Sequence, residues 1–65
     1  MNNKIEKLIK VMELDYPPIG TFTNDYINFK KAGNTKAIKK LIADTSIDYP
    51  WIDGYVDNLE KLLKD

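Results

Sequence analysis

The sequence predicts an all-α fold of four short helices, arranged as two pseudo-repeated helix-connector-helix units packed into one small bundle. Apolar residues recur with helical spacing over four segments, and no segment shows the alternation of a strand. A proline-containing stretch occurs twice, since Asp15-Tyr16-Pro17-Pro18-Ile19 returns 33 residues later as Asp48-Tyr49-Pro50-Trp51-Ile52. Aligning residues 4–31 with 37–64 gives nine identities in 28 pairs, where chance gives roughly two. We therefore expect one domain spanning 1–65 with an internal repeat.

Length and composition narrow the classes of function. The chain has 65 residues with no cysteine and no histidine, which excludes disulfides, thiolate or imidazole metal ligands and the common nucleophile-base pairs. No apolar run approaches the roughly 18 residues that cross a bilayer, and the first residues lack a signal-peptide core. We therefore expect a cytoplasmic protein that is not an enzyme, needs no cofactor or metal and does not contact a membrane.

The first helix is predicted to begin near Lys4, because Asn3 and Glu6 have the spacing of a capping box. Pro17 and Pro18 are expected to end it, since neither donates a backbone N–H and each disfavours the α region in the preceding residue. The apolar side chains of this helix fall on one face at i, i+3, i+4 and i+7: Ile5, Leu8, Ile9 and Met12.

The second helix is predicted to be short, spanning Asn24–Ala32. Gly20, Thr21 and Thr23 have turn and capping chemistry and are expected to precede it. Gly33 is predicted to be its left-handed C-cap. The side chains expected to point inward are Tyr26, Ile27 and Phe29.

The third helix is predicted from Lys36 to Ala43 or Asp44, with Asn34 or Thr35 as its N-cap. Its apolar face comprises Ala37, Ile38, Leu41 and Ile42. After the connector Thr45–Pro50, the fourth helix is predicted from about Trp51 or Ile52 to Leu63. It has the cleanest amphipathic pattern in the chain, formed by Ile52, Tyr55, Val56, Leu59, Leu62 and Leu63.

The net charge of zero hides a gradient along the chain. Residues 23–43 carry five lysines and one acid, whereas residues 44–65 carry six acids and two lysines. Two interpretations remain open. The basic and acidic parts face each other or are solvated, or the basic part faces a partner.

Aromatic residues cluster in sequence around the two connectors that contain proline. Tyrosine and tryptophan are large, stiff and amphipathic, and they are common anchors of protein interfaces. One interpretation is that they cap a small core; the other is a binding surface, with Trp51 exposed between two acids. The candidate partner-binding residues are Tyr16, Tyr49, Trp51, Tyr55, Asp48 and Asp53. The function predicted is a small non-catalytic protein-interaction module, of the size of phage or plasmid inhibitors and regulators, which binds another protein or itself.

The alternative is a nucleic-acid-binding module. Tyr16-Pro17-Pro18-Ile19-Gly20 resembles the turn of the helix-hairpin-helix family, whose backbone N–H groups hold DNA phosphates. The sequence departs from that pattern, because Pro18 removes a donor and the second copy has Trp51 and Asp53 where phosphate approaches. A helix-turn-helix over Phe29–Leu41 fails on register. The candidate residues are Lys30, Lys31, Lys36, Lys39, Lys40 and Gly20; since all ten basic residues are lysine, the fork with which arginine reads guanine is missing.

Three carboxylates on the fourth helix are spaced for a shared site. Asp53, Asp57 and Glu60 lie at i, i+4 and i+7, a spacing that brings them to one helix face. The same spacing is common on solvated faces, and Lys61 and Lys64 lie four residues after Asp57 and Glu60. We therefore predict a solvated face and no metal site.

Overall fold

A computed structural model of the chain describes residues 3–64, and over that range the chain forms four α-helices in a compact bundle. The all-α prediction is confirmed. The helices are α1 (Asn3–Met12), α2 (Ile19–Lys31), α3 (Thr35–Ser46) and α4 (Ile52–Lys64).

Each helix packs against the next one in the chain, and α1 also packs against α4. Connector 1 (residues 13–18) and connector 2 (residues 47–51) lie side by side. The ring centroids of Tyr16 and Tyr49, one from each connector, are 4.2 Å apart. Helices α1 and α3 therefore end at this side of the bundle, where α2 and α4 begin. We call it the connector end, and the opposite side, which contains the turn over residues 32–34, the far end.

Helix α1 begins one residue before its predicted start. Asn3, predicted to be the cap, lies within the described helix. The helix ends at Met12, well before the two prolines. One further turn follows the helix, and in it the Tyr16 N–H donates to the Met12 carbonyl at 2.9 Å.

Helix α2 starts five residues earlier than predicted. It spans Ile19–Lys31 and not Asn24–Ala32, so the segment containing Gly20 and Thr21 is helical. Pro17 and Pro18 precede this helix, where a missing N–H costs nothing because the first helical turn has no internal acceptor for it. The Phe22 N–H donates to the Pro18 carbonyl at 3.0 Å, which closes the first turn.

The caps between α2 and α3 are confirmed. Gly33 has φ +70°, the left-handed conformation that glycine adopts without steric cost. The Asn34 side-chain oxygen accepts from the Ala37 N–H at 3.1 Å. Helix α3 extends beyond its predicted end to Ser46, and α4 begins at Ile52 as predicted.

The core lies between α2 and α4. Its buried apolar side chains are Ile5, Ile19, Phe22, Tyr26, Ile52, Tyr55, Val56 and Leu59, and Thr23 is buried among them. Helix α3 has no fully buried residue, so its predicted inward face, including Leu41, is only half-buried. Leu63 was also expected inward and is 36% exposed.

Within residues 3–64, every helix lacks the combination of length and apolar character that a membrane crossing requires.

Candidate functional site

Three aromatic rings from the two connectors form a cluster at the connector end. The ring centroid of Trp51 lies 5.8 Å from that of Tyr49 and 6.4 Å from that of Tyr16, with edge-on geometry in both pairs. All three rings are half-buried, and those of Tyr16 and Trp51 pack against the core. The structure thus brings together three of the predicted partner-binding residues.

The backbone around these rings is held by hydrogen bonds that recur 33 residues apart. Tyr16 donates to Met12, and Tyr49 donates to Thr45 at 3.0 Å. The Ile19 N–H donates to the Tyr16 carbonyl and the Ile52 N–H to the Tyr49 carbonyl, each at 3.0 Å. Each tyrosine therefore begins a tight turn that ends three residues later at a buried isoleucine, Ile19 or Ile52.

Exposed apolar side chains lie in the same segments of the chain as this cluster. Leu14 is 89% exposed and Ile47 is 78% exposed, and each lies two residues before a cluster tyrosine. Val11, in the last turn of α1, is 64% exposed. Among residues 3–64 the one other exposed large hydrophobic residue is Leu63 at the far end, which is only 36% exposed. We call the set Val11, Leu14, Tyr16, Ile47, Tyr49 and Trp51 the connector patch.

The three exposed aliphatic residues were missed as site residues. They fall outside the predicted inward faces, and a connector hydrophobe has no periodicity that indicates whether it is buried. The available signal was the pairing of Leu14 with Ile47 in the repeat alignment. Two apolar residues in equivalent loop positions that no helical face explains are candidates for a surface role.

Carboxylates flank the connector patch. The predicted site residues Asp48 and Asp53 are both exposed, and so are Glu13 and Asp15 on the other connector. None of these four forms an ion pair with a lysine in the described part of the chain. The patch is therefore apolar at its centre and acidic at its margin.

Tyr55 is not part of this surface. Only 3% of it is exposed, its ring packs edge-on against Phe22, and its hydroxyl is hydrogen-bonded to that of Thr23. Burial raises the pKa of the Tyr55 hydroxyl, and the Thr23 hydrogen bond opposes that shift. Tyr55 is thus a core residue, because it lies on the buried α4 face together with Ile52 and Leu59.

Trp51 has an intermediate position. The sequence left open whether it caps the core or is exposed on a binding surface, and its ring packs against the core and the two tyrosines while part of it remains accessible. Trp51 is the last residue of connector 2 and directly precedes the buried Ile52, so its ring lies beside the core and is partly covered. The ring is both a lid on the core and a component of the connector patch.

The lysines proposed for nucleic-acid binding lie at the far end. Lys30 and Lys31 occupy the last turn of α2, and Lys36, Lys39 and Lys40 follow on α3; all five are exposed. Gly20 lies in the first turn of α2, ten residues and about 15 Å of helix from Lys30. The structure places the five lysines in the last turn of α2 and the first two turns of α3, and it separates Gly20 from them.

Glu60 joins a polar cluster between α2 and α4. It accepts hydrogen bonds from the Tyr26 hydroxyl and the Lys30 ammonium group. The hydrogen bond from Lys30, then that from Tyr26, lowers the pKa of the Glu60 carboxyl. Burial and the adjacent carboxylate raise the pKa of Tyr26. Glu60 thus links the two core helices. Asp53 and Asp57, the other two carboxylates of the predicted set, are exposed. Within residues 3–64 no group of three acidic residues is placed to hold a metal ion.

Comparison with known proteins gives no match to a family model, to a curated protein or to a solved structure.

Proposed function

We propose that this protein is a small, non-catalytic interaction module that binds another protein through the connector patch. The observation that carries the proposal is the concentration of exposed apolar side chains at one end of the bundle. Three of the four exposed large hydrophobic residues between positions 3 and 64 lie there, beside three accessible aromatic rings. Scattered single hydrophobes are ordinary on a surface, whereas contiguous ones mark interaction sites.

The construction of the patch supports the same function. Interface anchors work best when their conformation is fixed before binding, because less side-chain and loop entropy is then lost. The three rings contact one another and are held by turns hydrogen-bonded to the helices. Leu14 and Ile47 project beside them. A partner that covers these side chains removes apolar surface from water without reorganising the fold.

Such a module acts by occupying a surface of its partner. This is the mode of small inhibitors and regulators, and the size of the chain suits a phage or plasmid protein of that kind. The absence of cysteine and histidine from the sequence favours binding over catalysis and fits a reducing, cytoplasmic setting.

Affinity capture with matched variants tests the proposal. The double variant Leu14→Ser/Ile47→Ser changes two highly exposed side chains at the connector end, and Leu63→Ser is the control at the far end. We expect the wild-type protein and the Leu63→Ser variant to retain the same host protein, confirmed as a direct complex with purified components, and the double variant to lose it. Equal retention by all three would contradict binding through the connector patch.

Nucleic-acid binding is the second candidate function, because five exposed lysines surround the 32–34 turn. Two of them have acidic partners: Lys30 pairs with Glu60, and Lys40 lies 3.9 Å from Asp44. Fluorescence polarisation with generic duplex DNA tests this function. Phosphate binding predicts an affinity at low salt that falls steeply as salt increases and that is lost in Lys31→Ser/Lys36→Ser/Lys39→Ser. Absence of binding at low salt would leave the protein-interaction function.

We also propose that the two halves are copies of one helix-connector-helix unit. The bounds of α2 and α4 differ by 33 residues at both ends, as do the connector hydrogen bonds. An experimental structure in which residues 4–31 superpose on 37–64 with both connectors in one conformation is the expected result. Different connector conformations would make the sequence repeat a coincidence.

A further inference from the structure

The charged residues of the two connectors are all acidic. Residues 11–29 contain Glu13, Asp15 and Asp25 and no lysine, and residues 41–60 contain five acids and no lysine. These two ranges include both connectors and the first turns of α2 and α4. The four carboxylates nearest the patch are exposed and have no cationic partner in the described part of the chain. A partner that covers the patch must therefore approach through a negative field.

The lysines lie on other parts of the bundle. They fall in residues 4–10 of α1, in residues 30–40 around the far-end turn, and at the end of α4 in residues 61–64. Lys10, in the last turn of α1 and next to Val11, is the nearest in sequence to the connectors. A net charge of zero thus combines an acidic connector end with a basic far end.

This distribution argues against a symmetric dimer formed through the patch. An isologous contact sets the same surface against itself, so the four carboxylates of one copy would face the same four of the other. Like charges in close contact cost free energy that the apolar centre must offset. A head-to-tail contact with the lysine end is heterologous, so it leads to a ring or an open chain and not to a twofold dimer. The charge pattern therefore disfavours a symmetric dimer through the patch and favours a different protein as the occupant.

We propose that the connector patch binds a partner protein whose contact surface carries lysine or arginine side chains around an apolar pocket. This inference rests on the proposed function and adds the chemistry of the partner. The pocket takes the patch side chains, chiefly Leu14, Ile47 and the Trp51 ring, while the cationic margin meets the carboxylates of both connectors. The opposite charges raise the rate of encounter and exclude acidic surfaces, and the apolar centre supplies the affinity.

Three synthetic peptides test the partner chemistry. The first is an amphipathic helix of about 18 residues with one leucine face and one lysine face. The second carries glutamate in place of lysine, and the third keeps the lysines and replaces leucine by serine. Binding is followed by polarisation of labelled peptide and by the emission of Trp51, at low and at moderate salt. We expect the leucine-lysine peptide to bind at least about tenfold more tightly than either of the others.

Matched variants locate the binding. Leu14→Ser/Ile47→Ser should weaken binding of the leucine-lysine peptide at least about tenfold, and Asp15→Asn/Asp48→Asn should weaken it and reduce its salt dependence. The controls Leu63→Ser and Asp25→Asn, which change exposed side chains away from the connectors, should bind like the wild type.

The outcomes separate this inference from the proposed function. If the leucine-lysine and leucine-glutamate peptides bind equally and Leu14→Ser/Ile47→Ser abolishes both, the patch is an interaction site and the cationic partner is wrong. Failure of both amphipathic peptides to bind would contradict the cationic partner and count against the patch as well. Self-association in sedimentation velocity that the same double variant abolishes would show that a second copy covers the patch and would overturn the inference.

Discussion

Helices α2 and α4 form the interior of this protein, whereas α1 and α3 cover it. Eight of the nine buried side chains between residues 3 and 64 belong to α2 and α4, Ile5 is the contribution of α1, and α3 contributes none. Yet α1 and α3 also have apolar faces with helical spacing in the sequence. An apolar face shows that a helix packs against something, but the depth of burial depends on whether it is covered from one side or several. The difference predicts unequal effects of similar mutations.

The largest expected effect separates a core leucine from a covering one. Leu59→Ala should lower the free energy of unfolding by about 2–5 kcal/mol, because Leu59 is fully buried and its removal leaves a cavity. Leu41→Ala on α3 should cost roughly 1–2 kcal/mol, since that side chain is half-buried and the space it leaves opens to solvent. Urea denaturation followed by circular dichroism measures both. Equal losses would show that α3 is as much a part of the core as α4.

A hydroxyl pair between the two inner helices gives the next effect. Thr23→Val should cost about 1–3 kcal/mol, because it removes a hydrogen-bond partner of the buried Tyr55 hydroxyl. The double variant Thr23→Val/Tyr55→Phe should recover much of this loss, since no buried hydroxyl is then left unpaired. The double variant has phenylalanine at position 55 and valine at position 23. These are the residues that the other half of the repeat has at the equivalent positions, Phe22 and Val56.

Thermal denaturation of the two single variants and the double variant forms the mutant cycle, with the exposed Thr21→Val on the same helix as control. Additive losses in the double variant would mean that Thr23 and Tyr55 do not act as a pair.

The polar link between the same helices predicts an acid-dependent effect. The pKa of Glu60 is lowered in the folded protein, so its contribution to stability is present above the ordinary value of 4.5 and is lost as the pH falls through the lower folded value. Because Lys30 is partly exposed, the contribution should stay below about 1 kcal/mol. Glu60→Gln should flatten the pH dependence of the unfolding free energy below pH 4.5, while the exposed Asp57→Asn serves as control. An unchanged profile in Glu60→Gln would contradict the link.

The smallest expected effect concerns the connectors, which join the inner and covering helices. Leu14→Ser/Ile47→Ser should change the free energy of unfolding by less than about 0.5 kcal/mol per site, since both side chains are largely exposed. A melting curve close to that of the wild type is expected. A large loss of stability would show that these residues support the fold and would weaken their assignment to an interaction surface.

The sequence by itself determined the helical class, the number of helices and the caps at Gly33 and Asn34, because these depend on local periodicity and on the conformational preferences of single residues. It misplaced the start of α2, since Pro17-Pro18-Ile19-Gly20 has the composition of a turn and Thr23 is polar within an apolar face. The hydrogen bond between the Thr23 and Tyr55 hydroxyls is a tertiary contact between α2 and α4. A polar residue on a buried face thus escapes any analysis of one helix alone.

The candidate site was likewise determined partly by the sequence and partly by the packing of the helices. The repeated Asp-Tyr-Pro stretch indicated that the connectors matter and supplied Tyr16, Tyr49 and Trp51, but Tyr55 has the same chemistry and is buried. The sequence also suggested a charge gradient from the basic residues 23–43 to the acidic residues 44–65. In the folded chain the acidic residues of both connectors lie at the connector end, and the lysines of residues 30–40 lie towards the far end. Antiparallel helices bring distant segments to one end and carry neighbouring segments to opposite ends. Which aromatic rings and charges share a surface is therefore decided by the packing of the helices, because exposure and proximity are properties of the assembled bundle.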